Sequence, residues 1–227
     1  HSLLQGRKHL EELEIQGAAN FRMAAEENDV KRIIYLGGLG DQHCDLSTHL
    51  KSRNNVAVEL VNGKIPVTIL RAAIIIGSGS ASFEIMRDLV EKLPVMITPK
   101  WLNTKCQPIG VSDVILFLTR SLLNEKLYGI NFDIGGPEVL TYKEMLLEFA
   151  KVRNLKRKIF IVPVMTPRLS SYWLYFVTST SYNLAIALVD SMKIEVTCKA
   201  NNLSTLLGIK LIDYDTSIQL AFDKIEQ

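Results

Sequence analysis

A chain of 227 residues is long enough for one large domain or two small ones around a real core. Hydrophobic residues at 48% and charged residues at 22% exclude intrinsic disorder, and 13 glycines with 7 prolines in no period exclude collagen-like repeats. Twenty-six basic against 24 acidic side chains give a net charge of +2, which leaves no electrostatic footprint for nucleic acid.

Leu10, Leu13, Gly17, Phe21 and Ala24 recur at spacings of three and four and predict an amphipathic helix from Arg7 to Asp29. Ile33 to Leu36 is an apolar run without alternation, ended by Gly37 and Gly38, and reads as a strand covered on both faces. Leu46, Leu50, Ala57 and Leu60 repeat helically up to Asn62-Gly63. Pro66 to Leu70 is a second buried strand, followed by Ala72 to Ile76 and the loop Gly77 to Ser80. A helix from Ala81 to Leu93 closes at Pro94, and Thr98 to Ile109 reads as an extended crossing segment. Ser112 or Asp113 can cap a helix running to Leu123. Asn131 to Ile134 is a short strand, and Thr141 with Glu144 forms a capping box for the next helix. A strand at Ile159 to Val162, a helical pair and a last helix near Asp215 to Ile225 complete the chain.

Alternating strands and helices make the class α/β with a doubly wound parallel sheet and a small, mostly helical C-terminal region. The division expected is 1–140 for the sheet domain and 141–227 for the smaller part. Cys44, Cys106 and Cys198 lie far apart without a CxxC, which argues against a disulfide framework and for a reducing, cytoplasmic compartment. His1, His9, His43 and His49 form no ligand spacing, so no metal is expected. The uncharged run Ser170 to Val189 is interrupted by Ser179 to Asn183 and reads as two short buried helices rather than a membrane span. A membrane-associated accessory protein is the weakest reading.

Three segments in series carry a family resemblance: Arg32 to Gly40 (RIIYLGGLG), Pro66 to Ser80 (PVTILRAAIIIGSGS) and Phe132 to Glu138 (FDIGGPE). Together they resemble the middle and end of an atypical or extended short-chain dehydrogenase/reductase, of the NmrA-like and nucleoside-diphosphate-sugar-epimerase-like NAD(P)-binding kind. The resemblance implies a Rossmann-like fold whose first βαβ units, with the Gly-rich turn that holds the pyrophosphate, would precede His1. At about 30 residues per unit, roughly 90 residues would be missing, and the sheet would expose an apolar edge prone to aggregation.

The resemblance also implies a cofactor, NAD or NADP, and a small-molecule substrate, with no nucleic acid, no membrane association and room for a homo-oligomer. Relatives use a Tyr-xxx-Lys pair on the helix after the fifth strand, where this chain has His49 and Arg53. His49 could work as acid or base, while Arg53, which cannot give up a proton, suits a ribose hydroxyl or a phosphate. Gly37, Gly38 and Leu39 stand where the backbone approaches the nicotinamide ribose, and a Gly38→Val side chain should block it. Ala72, Ala73 and Ile74 stand where relatives pass the nicotinamide ring. Arg71 reads as a phosphate ligand or a buried ion-pair partner, and Lys100, Trp101 and Lys105 as contacts to an anionic or aromatic ligand. The basic run from Lys151 to Lys158 reads as a solvated face. Lacking the Tyr–Lys pair, the chain is expected to be a sensor, a scaffold or a weak reductase. The alternative is an epimerase, dehydratase or NAD(P)H-dependent reductase using His49.

Overall fold

The computed structural model describes residues 7–40, 48–122, 124–162 and 190–226. Its centre is a parallel sheet of β1 (Ile33–Gly38), β2 (Val67–Ala72) and β7 (Asn131–Ile134), in the order β1-β2-β7. Successive side chains of a strand point to opposite faces, and β2 uses both. Val67 and Ile69 pack with Ala18 and Ala25 of α1 (Arg7–Glu27) and with Val56, Ala57 and Leu60 of α2 (Thr48–Val61). Leu70 and Ala72 pack on the other face, against Val114 and Phe117 of α4 (Val111–Leu122) and Leu203 of α6 (Leu203–Leu206). This two-sided burial is why β2 is apolar on both faces rather than alternating. α1 and α2 are tied at their outer edge by Arg22, whose guanidinium lies 3.0 Å from Glu59.

β1 is packed on both faces, as expected, with Ile33 and Tyr35 on the side of α1 and α2 and Ile34 and Leu36 on the other. Only Ile33 is fully buried; Ile34 to Gly38 are half-buried on this strand, whose one partner among the described residues is β2.

A second core gathers α3 (Ala81–Lys92), α5 (Tyr142–Val152) and α7 (Tyr214–Ile225), so it draws from both sides of residue 140. Around it run three two-stranded pieces: β3 (Ile75–Ile76) parallel to β6 (Ile109–Gly110), β4 (Val95–Pro99) parallel to β9 (Lys158–Val162), and β5 (Lys105–Cys106) antiparallel to β8 (Leu140–Thr141). The expected capping box is present: Thr141 Oγ1 accepts from the Glu144 N–H at 3.1 Å, and the Glu144 carboxylate accepts from the Thr141 N–H at 2.7 Å. The segment from Thr98 to Ile109 is not one crossing strand. It ends β4, turns once through a 3₁₀ helix at Lys100–Asn103, and then supplies β5 and β6.

Asp113 is not the cap of α4, which begins at Val111. Its buried carboxylate accepts the Ile212 N–H at 3.0 Å and so holds the chain leading into α7, and burial raises its pKa. Two residues of the basic run are paired with acids. Lys151 meets Glu148 and Asp215, and Arg153 meets Glu91 and Glu226 while stacking 4.0 Å from the Phe222 ring. Among the described residues no helix is long and apolar enough to cross a membrane, and no group of His, Cys, Asp and Glu is placed to hold a metal. The uncharged run Ser170 to Val189 lies outside the described residues.

Candidate functional site

In a parallel sheet all strands end on the same side, so their last residues are brought level. Gly38 of β1 stands opposite Ala72 of β2, and Ala72 opposite Ile134 of β7. The Leu39 N–H donates to the Ala72 carbonyl at 2.8 Å and extends the pairing by one step. Beyond it, Ala73 and Ile74 lead into β3, with the Ile74 carbonyl accepting from the Ile109 N–H at 2.9 Å. The structure thus brings Gly37, Gly38, Leu39, Ala72, Ala73 and Ile74 to one edge of the sheet. Leu39 and Ala72 are buried; the other four are half-buried. At the four sequence positions 37, 38, 72 and 73 no side chain exceeds a methyl group.

Packing gives Gly38 a reason of its own to be small. A Cβ there would lie 2.8 Å from Leu50 Cδ2, so the missing side chain lets α2 close on β1. Gly38→Val is expected to cost about 1–3 kcal/mol of stability through overpacking, measured by urea denaturation. An unchanged unfolding midpoint would show that Leu50 gives way freely.

Arg53 and His49 share the first half of α2, four residues apart along the helix. Arg53 is half-buried, with its guanidinium 3.8 Å from Glu14 of α1 and its carbonyl accepting the Tyr35 hydroxyl at 3.2 Å. Sequence reading gave Tyr35 no role. Its ring lies beside Gly37, where a Cβ would meet Tyr35 Cε1 at 3.1 Å, and burial raises the pKa of its phenol. Tyr35 is therefore held neutral, as a hydrogen-bond donor to α2 rather than as a phenolate.

The other side of the sheet edge is built on Asp133. Its Oδ1 accepts from Arg71 Nε at 2.8 Å and lies 2.6 Å from the second guanidinium nitrogen, so Arg71 is an ion-pair partner. Oδ2 accepts the Lys199 N–H at 2.9 Å, and the Asp133 carbonyl accepts from Asn201 Nδ2 at 2.8 Å. Gln107 does the same from the neighbouring loop, donating to the Gly136 carbonyl at 2.8 Å and accepting the Cys198 N–H at 2.9 Å. Gly136 is required here, since a Cβ would sit 2.5 Å from the Pro108 carbonyl oxygen. Between these groups opens a cleft of about 270 Å³ lined by Gln107, Asp133, Gly135, Cys198 and Asn201.

Burial, with the Asp133 charge behind it and Arg71 pulling weakly the other way, pushes the Cys198 thiol up to about 12. Burial does the same to Cys106. Both stay protonated at pH 8, and the thiol is a poor nucleophile. Iodoacetamide at pH 8 is expected to label each of them on the order of a hundredfold more slowly in the folded chain than in urea, read by mass spectrometry. Labelling of Cys198 at the unfolded rate would overturn that environment.

No family model matches the chain, and no curated protein sequence does. Solved structures do match in fold. A nucleoside-diphosphate-sugar epimerase from Staphylococcus aureus is 15% identical with a TM-score of 0.69, over 89% of this chain and 69% of its own. The triphenylmethane reductase of Citrobacter sp., complexed with NADP(H), is 18% identical with a TM-score of 0.71, over 95% and 72%. The NADPH-dependent quinone oxidoreductase of Escherichia coli, complexed with NADPH, is 18% identical with a TM-score of 0.69, over 90% and 70%. The parallel sheet with level strand ends, helices on both faces and a second core beside it is thus the Rossmann-like fold that these structures share.

Proposed function

We propose that the chain holds NAD(H) or NADP(H) across the carboxyl ends of β1 and β2 and works as a nucleotide sensor or scaffold, or as a weak reductase. The observation that carries this reading is the level pairing of Gly38 with Ala72, at the carboxyl ends of two parallel strands that finish in residues with no side chain larger than a methyl group. Ligands of open parallel sheets sit in the crevice outside the carboxyl ends of the strands, and the NADP(H) complexes of like fold support the choice of ligand. When bound, the nicotinamide would supply or accept hydride. Gly37 and Gly38 would let the backbone close on the ribose, and Ala73 and Ile74 would wall the ring. Arg53 reaches a ribose hydroxyl or phosphate only by leaving Glu14, so its part is secondary. A small-molecule substrate, a cytoplasmic setting and a homo-oligomer belong to the same reading.

No Tyr–Lys pair stands at α2, which favours binding with little turnover. The enzyme reading takes His49 as proton carrier, since imidazole titrates near neutral pH. Calorimetric titration of the protein with NADH and NADPH, with absorbance at the nicotinamide band followed across quinone, carbonyl and sugar-nucleotide substrates, separates the readings. Binding without absorbance loss supports the sensor. Turnover abolished by His49→Phe supports the enzyme, and no binding of either dinucleotide sinks both.

A further inference from the structure

The two-stranded ribbon of β4 and β9 buries one face and leaves the other bare. Side chains alternate along a strand, so Met96 and Thr98 turn inward at 0% and 1% exposure, with Ile159 and Ile161 half-buried beside them. Their neighbours Val95, Ile97 and Phe160 turn outward and are 49%, 53% and 55% exposed. The register sets Ile97 opposite Phe160 and Val95 opposite Lys158, so the three apolar side chains adjoin and share their face with a cation. Lys156, exposed two residues earlier, adds a second. The basic run is thus divided in two. Lys151 and Arg153 are matched by acids, whereas neither Lys156 nor Lys158 is within ion-pair distance of a carboxylate among the described residues. Arg157, between them, donates instead to the carbonyls of Val90 and Glu91 at the end of α3. An apolar patch bordered by unneutralised cations suits a partner that is anionic outside and apolar beneath.

We propose that this ribbon face docks on an anionic lipid surface, with Val95, Ile97 and Phe160 entering the headgroup boundary and Lys156 and Lys158 meeting the lipid anions. Size favours lipid over protein. At these exposures the three side chains offer roughly 300 Å², whereas a stable protein interface takes about 800 Å² from each partner. A bilayer sets no such minimum: shallow insertion adds to the electrostatic attraction, and a lysine stem can lie along the apolar patch while its ammonium reaches a headgroup. The contact is peripheral and needs no spanning helix. Two lysines and three half-bared side chains make it weak, and so dependent on anionic lipid and low salt. The ribbon is separate from the ends of β1 and β2, so this docking holds or fails independently of the proposed nucleotide site.

Co-sedimentation with vesicles of phosphatidylcholine containing about one-third phosphatidylserine, against pure phosphatidylcholine, tests the docking without any dinucleotide. The unaltered protein is expected to bind the anionic vesicles at least about tenfold more tightly than the neutral ones and to come off as salt is raised to about 0.5 M. Lys158→Gln should weaken binding about fivefold, and Lys156→Gln combined with Lys158→Gln about thirtyfold. Phe160→Gln should weaken it about fivefold through lost insertion. All three positions are exposed, so their urea midpoints should stay unchanged. Lys31→Gln, which removes an exposed charge next to β1, should alter binding less than about twofold. No binding to the anionic vesicles, equal binding to both kinds, or equal losses from Lys31→Gln and Lys158→Gln would overturn the proposal. Tighter binding of an alternating glutamate–leucine peptide than of anionic vesicles would assign the face to a protein partner and overturn it as well. So would a dimer, seen by sedimentation velocity, that Phe160→Gln dissociates.

Discussion

Phe149→Ala is expected to be among the most damaging single substitutions in the chain, costing about 3–5 kcal/mol of stability. Phe149 is fully buried on α5, with ring centroids 5.5 Å from Phe83 of α3 and 5.6 Å from Phe222 of α7. Phe83 and Phe222 close the triangle at 5.3 Å, edge to face. Each ring therefore supports the other two in the tilted geometry that aromatic quadrupoles prefer, and all three helices of the second core meet at this point. Alanine would leave an apolar void too dry for water and too enclosed to collapse, because Met145 and Leu146 on either side are themselves buried. In a chain of this size the loss corresponds to a fall in melting temperature on the order of 10 °C, measured by calorimetry with urea denaturation as a check. A loss under about 1 kcal/mol would mean that the three helices repack independently. The effect should also reach Ile74, which packs on this same core, and so loosen one wall of the proposed nucleotide site.

The sequence made the sheet legible where burial on both faces dictated composition. Val67 and Ile69 on one face, and Leu70 and Ala72 on the other, have to satisfy two cores at once, and a strand of that kind has few other uses. The Thr141–Glu144 capping box was equally readable, because both halves of the device lie within four residues. Long-range pairings were not. Nothing local marks Arg71 and Asp133 as partners across 62 positions, and the same holds for Asp113, whose carboxylate serves a backbone N–H 99 residues away. Asp113 at the start of a helix satisfies every local rule for a cap, and tertiary structure put it to another use. Gly38 shows the same limit from the opposite direction. It reads as a residue that stops the strand, yet it is the last residue of β1, and its close packing against Leu50 on the following helix has no local signal.

Removing Arg71 tests what the site edge is for. Arg71→Met leaves the Asp133 carboxylate, 3% exposed, with the Lys199 N–H as its remaining recorded donor. A buried charge stripped of its partner costs about 3–5 kcal/mol; because Arg71 itself is 27% exposed, water can replace part of the loss and about 2–3 kcal/mol is expected. The second consequence is local. Asp133 holds Lys199 and Asn201 against the end of β7, so the amides near them should lose hydrogen-exchange protection before those of β2 do. The two uses considered for Arg71 then predict opposite patterns. An ion-pair role lowers stability while the Kd for NADPH stays within about threefold, since the guanidinium faces the carboxylate rather than the open ends of β1 and β2. A phosphate-binding role would weaken NADPH tenfold or more and make the affinity loss larger at low salt, where a charge contact is least screened. The double variant Arg71→Met with Asp133→Asn decides whether the pair is structural. It removes the charge as well as its partner, and should recover part of the stability that Arg71→Met loses alone.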